Sequence, residues 1–218
     1  MPRSTFAGMV LIGILAAAAP ARALDNVRPP LGALYMSPES SFYVGVWEWP
    51  PIMTAVEFQL YLVAEIDFSL VDRTEQNGVN GPNAWEASIS FPAELALIGT
   101  TLFPEGSAVD LNPSASDYQV GTGATMPAGP APIVLAEFTV LLLGQTRSMR
   151  LDLGAVEGPT ASFDGVPGWA EGFALNGCTN QGGFAIPCLF PFDFVGDLSL
   201  VWPSTETETW GALKARFD

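Results

Sequence analysis

The chain contains no histidine. Ser-His-Asp and Cys-His catalysis and imidazole metal sites are therefore excluded. There is no GxSxG elbow and no phosphate-cradling glycine loop. A glycosidase needs only two carboxylates, but the 23 Asp and Glu residues show no spacing that sets two of them across a cleft. Three other groups could carry function. The first is FYVGVWEWPP: if Phe42 to Trp49 is a strand, Tyr43, Trp47 and Trp49 project from one face. Aligned exposed rings stack on the apolar faces of sugars. The competing expectation is that they cover a core or an edge, and Pro50-Pro51 ends the strand at once. The second is the loop VDLNPSASD, where Asp110, Asn112 and Asp117 place side-chain oxygens at short intervals. Such loops can hold Ca²⁺, although the glycine and closing Glu of an EF-hand are absent. A solvated Asx turn is the plainer expectation. The third is Cys178 and Cys188, which frame CTNQGGFAIPC. In an exported chain so close a pair is expected to form a disulfide. Closing that loop stabilises by about 2–3 kcal/mol on the chain-entropy model. A metal or redox role is not expected, because the spacing is not CxxC.

The elements that would hold these groups have a period of two. Phe58, Leu60, Leu62 and Ala64 alternate with Gln59, Tyr61, Val63 and Glu65. Trp85, Ala87, Ile89 and Phe91 alternate with Glu86, Ser88 and Ser90. Ala136, Phe138, Val140 and Leu142 form a third set, and Met149, Leu151 and Leu153 a fourth; Phe194 to Trp202 is a further β-rich run. Turn residues bound each run: Asn77-Gly78, Asn80-Gly81-Pro82, Pro104-Glu105-Gly106, Gly158-Pro159 and Pro167-Gly168. Short strands punctuated in this way predict an all-β protein, an antiparallel β-sandwich of jelly-roll type. No segment between strands has the length and period of a crossover helix, which disfavours parallel α/β.

The ends differ from the middle. Arg3 precedes an apolar run from Phe6 to Ala19. Pro20 and Ala21-Arg22-Ala23 then complete a secretory signal with cleavage expected after Ala23. The run is shorter than the roughly 20 residues that span a bilayer, so no integral membrane span is expected after cleavage. Losing residues 1–23 removes two of the eight basic residues and none of the 23 acidic ones, so the remaining chain carries −17. That charge repels phosphate backbones and anionic membranes, and nucleic acid is not an expected partner. With 49% hydrophobic and 14% charged residues, residues 24–202 can build the core of one sandwich domain. Pro203 to Glu208 is a polar linker. After it, Trp210, Leu213 and Phe217 share one face of a short C-terminal helix, with Thr209 as N-cap and Lys214 and Arg216 in its last turns. Alone in water such a helix is marginal and needs a surface.

Over residues 34–153, EFQLYLVAEIDFSLV, then WEASISFPAELALIGTTLFPEGSAVDLNPSASDYQVGTG, then IVLAEFTVLLLG resemble the cohesin-like modules of bacterial secreted proteins. The order is a strand, a proline-bearing strand end, a "VG" strand and an "LA-F-V" strand. The resemblance implies a sandwich related in fold to carbohydrate-binding modules, and binding of dockerin helices. ETETWGALKARFD resembles a TWG-x-x-K tail at the C-termini of secreted bacterial proteins, through Thr209, Trp210, Gly211, Leu213, Lys214 and Phe217.

The function expected from these readings is a secreted, non-enzymatic binding module at the cell surface, for an extracellular protein or polysaccharide, with no cofactor required. The alternative is a structural subunit of an extracellular layer or filament, docked through the tail or an edge strand. A glycan-acting enzyme comes third, and a carboxylate pair in a groove would favour it.

Overall fold

The computed structural model describes residues 32–48, 56–66, 82–112, 114–123, 126, 131–143, 148–157, 166–171, 178–179, 185–186 and 188–201. The expected signal segment and linker, Trp49, and the tail residues Trp210, Leu213 and Phe217 lie outside them. Among the described residues all the regular elements are strands: β1 (Ala33–Ser37), β2 (Val46–Glu48), β3 (Glu57–Glu65), β4 (Ala84–Ser90), β5 (Leu95–Leu102), β6 (Ala108–Asp110), β7 (Asp117–Thr122), β8 (Ile133–Leu142), β9 (Ser148–Gly154), β10 (Gly168–Glu171), β11 (Cys178–Thr179), β12 (Ala185–Ile186), β13 (Cys188–Pro191), β14 (Phe194–Gly196) and β15 (Leu198–Val201).

They form a sandwich. One sheet runs β14-β1-β3-β8-β5; the other runs β13-β10-β4-β9-β15-β2, with β7 on the other edge of β4 and β6 beyond it. The alternating sets find their expected faces. Phe58, Leu60, Leu62 and Ala64 of β3, Trp85, Ala87 and Ile89 of β4, Phe138 and Val140 of β8, and Met149 and Leu151 of β9 share one buried cluster. Each large side chain taken from water there stabilises by about 1.5–3 kcal/mol. Tyr118 packs edge-on to Phe138 at 5.5 Å and stacks with Trp85 at 6.2 Å, joining the two sheets. Strand β5 has no clean alternation, and its register shifts at Leu97/Gly99, leaving Ile98 exposed. A bulge of this kind disturbs an edge otherwise free to pair.

The sheets are not wholly antiparallel as expected. Strand β1 pairs parallel with β14, and β2 pairs parallel with β15. The reason is that two chain segments run side by side in the same direction and both change sheets. Residues 33–48 pass from β1 to β2, and residues 194–201 pass from β14 to β15 with only Asp197 between. Gly32 opens the first segment at φ +88, where a Cβ would meet the Glu65 carbonyl oxygen at 2.5 Å, so only glycine fits.

Candidate functional site

The aromatic group of the sequence reading is divided by this crossing. Strand β2 starts only at Val46, so Tyr43 precedes it and shares no strand with Trp47, while Trp49 lies outside the described residues. Tyr43 instead lies over the point where β14 becomes β15. Its hydroxyl donates to the Asp197 carbonyl oxygen at 3.1 Å. Its ring packs against Tyr35 at 5.4 Å and edge-on to Phe194 at 5.3 Å. Gly196 makes room for these rings, since a Cβ there would lie 2.6 Å from Tyr43 Cε2. Trp47 pairs with Leu200 and packs, partly buried, against the core. Tyr43 and Trp47 therefore work as cover for the crossing and the core. On the same crossing, the Arg150 guanidinium donates to the carboxylates of Asp152 and Asp197, and Leu153 N–H donates to Asp197 Oδ1 at 2.8 Å. The hydrogen bonds that Arg150 donates to Asp197, and then to Asp152, push its pKa up from its ordinary value.

The Asp110 loop takes the Asx form. Asp110 Oδ1 accepts the amides of Asn112 at 3.0 Å and Gln119 at 3.1 Å, and Asn112 Oδ1 accepts that of Ser114 at 3.2 Å. Such bonds fix a turn. Among the described residues no three Cys, Asp or Glu side chains are placed to hold a metal ion together. The backbone puts Cys178 opposite Ile186, and Cys188 opposite Glu171; the cysteine side chains lie outside what the structure describes.

Asp117 belongs elsewhere, in a cleft that no sequence motif marks. Trp85, Ala87 and Ile89 face inward, so Ser88 and Ser90 face outward from β4. Register brings their partners alongside: Asp117 opposite Ser88 on one side, Gly154 opposite Ser88 and Asp152 opposite Ser90 on the other. With Ser116 and Glu157 these residues enclose a cleft of about 350 Å³ on the outer face of the larger sheet. Gly154 leaves its floor open, because a Cβ there would meet nothing within 4 Å. Asp117 is only 8% exposed, and no described residue partners its carboxylate. Ser90 and Ser116 also belong to a second depression of about 490 Å³, lined by Phe91, Leu95, Leu97, Ala115 and Tyr118 at the rim between the sheets. The two adjoin at Ser90 and Ser116 as a two-part groove, apolar at the rim and acidic on the sheet face. In the sequence the only trace is the polar half of each alternation, Ser88 and Ser90 in β4 and Asp152 in β9; pairing register is what assembles them.

No family model matches the chain, and no curated protein matches it. Solved structures to which it is similar are cohesin modules. The seventh ScaB type I cohesin of Pseudobacteroides cellulosolvens shares 10% identity at a TM-score of 0.48, covering 82% of this chain and 95% of that one. A cohesin module of a family 33 glycoside hydrolase from Clostridium perfringens shares 10% at 0.45, covering 79% and 97%. The non-cellulosomal cohesin of the archaeon Archaeoglobus fulgidus shares 11% at 0.43, covering 81% and 94%. Likeness at this level leaves ligand and partner to the geometry of this chain itself.

Proposed function

We propose that this chain is an exported, non-enzymatic binding module whose ligand is a protein. The observation that carries the reading is the pair of adjoining depressions that share Ser90 and Ser116, one apolar between the sheets and one acidic on the sheet face. An extended or amphipathic peptide segment offers both chemistries along its length, with anchors for pockets at alternate positions. A polysaccharide would call for aligned exposed rings, whereas Tyr43 is engaged over Gly196 and Trp47 packs against the core. A glycosidase would need two carboxylates facing each other across the sugar. Here Asp117 and Asp152 flank β4 on opposite sides, two strand spacings across and two residues along, so their backbones are about 12 Å apart, and Asp152 is engaged by Arg150. Export through residues 1–23, a Cys178–Cys188 disulfide and an acidic soluble surface belong to the same reading.

The test is selection of a displayed random-peptide library on the purified protein, with the Ala115→Trp variant as counter-target. Ala115 is exposed, so the indole fills the groove without entering the core. Peptides that bind the wild type and lose affinity for Ala115→Trp support the reading. A glycan array that yields ligands while no peptide is selected, or peptides indifferent to Ala115→Trp, overturns it.

A further inference from the structure

We infer that the acidic end of the groove is a receptor for a basic side chain, a lysine ammonium or arginine guanidinium presented by the protein partner; this rests on the protein-binding reading above. Asp117 is the reason. Asp117 is 8% exposed as a residue, and its carboxylate, which has no partner among the described residues, opens on the cleft it lines. The described elements beside Asp117 offer it no cation. Arg150 is the one Lys or Arg among the described residues, and it is held by Asp152 and Asp197. The same cleft is lined by the carboxylate of Glu157 and by the hydroxyls of Ser88, Ser90 and Ser116, which accept as well as donate.

A carboxylate without a protein partner, in a cleft shared with a second carboxylate, matches a group with several N–H donors and a positive charge. An ammonium brings three such donors and a guanidinium five, and neither accepts a hydrogen bond. A bound metal ion fits less well, because the acidic side chains do not converge into a chelating set of three. A neutral sugar would leave the charge unpaired. The open floor at Gly154 gives a long, narrow side chain a way in beside Ser88. Its alkyl stem can lie along the groove while its charged head reaches Asp117.

The chain as a whole is strongly acidic, so any cation is drawn to it at low salt; the test must therefore be local. Backbone amide NMR of the purified protein is titrated at 150 mM salt with N-acetyl-lysine methylamide and N-acetyl-arginine methylamide. N-acetyl-norleucine methylamide, which keeps the stem without the charge, is the control. At least one cationic probe is expected to shift the amides of Ser88, Asp117 and Gly154 saturably, with no such response to norleucine. Asp117→Asn should weaken that binding about tenfold or more, the size of a lost charge-assisted hydrogen bond. Gly154→Leu keeps every charge but fills the floor, and its φ is outside the left-handed region, so the substitution is unstrained. It should abolish the local shifts. Shifts that spread over the surface and survive Gly154→Leu would reduce the effect to net charge and overturn the proposal, as would no shift with either cation. If selected peptides bind through the groove but ignore Asp117→Asn, this inference fails and the protein-binding reading stands. If the cationic probe binds at the cleft and no peptide is ever selected, the functional reading is the one that fails.

Discussion

Replacing Gly196 by alanine adds one methyl group at the point where the chain changes sheets. That Cβ would stand 2.6 Å from Tyr43 Cε2, 2.8 Å from Phe194 Cε1 and 3.0 Å from Tyr35 Cβ. The first two atoms belong to rings that are 39% and 45% exposed and can swing outward. Tyr35 cannot yield as easily, because it is 1% exposed, sits in mid-strand and donates its hydroxyl to Glu65 Oε1 at 2.8 Å. Overpacking of this kind costs about 1–3 kcal/mol. Against it, Gly→Ala removes unfolded-chain entropy worth about 0.4–1 kcal/mol. The net expectation is a loss of roughly 1–2 kcal/mol, or about 2–8 °C in Tm for a chain of this size. Thermal and urea unfolding of Gly196→Ala, Tyr43→Ala and the double variant measure it. Removing the Tyr43 ring takes away the nearest clash, so the double variant should lose less than the sum of the two single losses, with a coupling of about 0.5 kcal/mol or more. A Gly196→Ala protein as stable as wild type would refute the claim that Tyr43, Tyr35 and Phe194 close over the crossing. Strict additivity would show that the Tyr43 ring is not what the new methyl meets.

Alkaline pH gives a second test. Burial, and then the hydrogen bond to Glu65, raise the Tyr35 phenol well above its ordinary pKa of 10. A pKa raised on folding stabilises fully below the unfolded value and is lost as pH rises toward the folded one. The urea midpoint should therefore decline above about pH 10, and Tyr35→Phe should flatten that decline; equal slopes would contradict the assignment. Tyr61 and Tyr118 are raised in the same direction, mainly by burial, so part of the slope should persist in the variant. For the cysteines, the protein denatured without reductant should leave Cys178 and Cys188 unreactive to iodoacetamide. Reduction should expose both and lower stability by about 2–3 kcal/mol; two thiols free from the start would exclude the bridge.

Much of the architecture could be read directly from residue order. A period of two over Phe58–Ala64, Trp85–Phe91, Ala136–Leu142 and Met149–Leu153 reports which side chains leave water, and these segments form β3, β4, β8 and β9 with those faces inward. The absence of histidine and the excess of acidic residues likewise bound the chemistry without coordinates. Strand β5 was less visible, because LALIGTTL is apolar on both faces near a bulge and its pattern is blurred. The parallel pairs β1–β14 and β2–β15 could not be read at all, since they join segments about 160 residues apart in the chain. The same limit applies to the candidate site. Tyr43 and Trp47 stood out as large rings close in sequence, yet a strand that begins at Val46 sends one over Gly196 and the other toward the core. Ser88 and Gly154 have nothing unusual about them in sequence, and Asp117 stood out only as a member of the Asp110 loop. Local sequence determines which face of a strand is wet; which wet residues become neighbours depends on register between strands, and that is settled only when the buried faces of both sheets lock together.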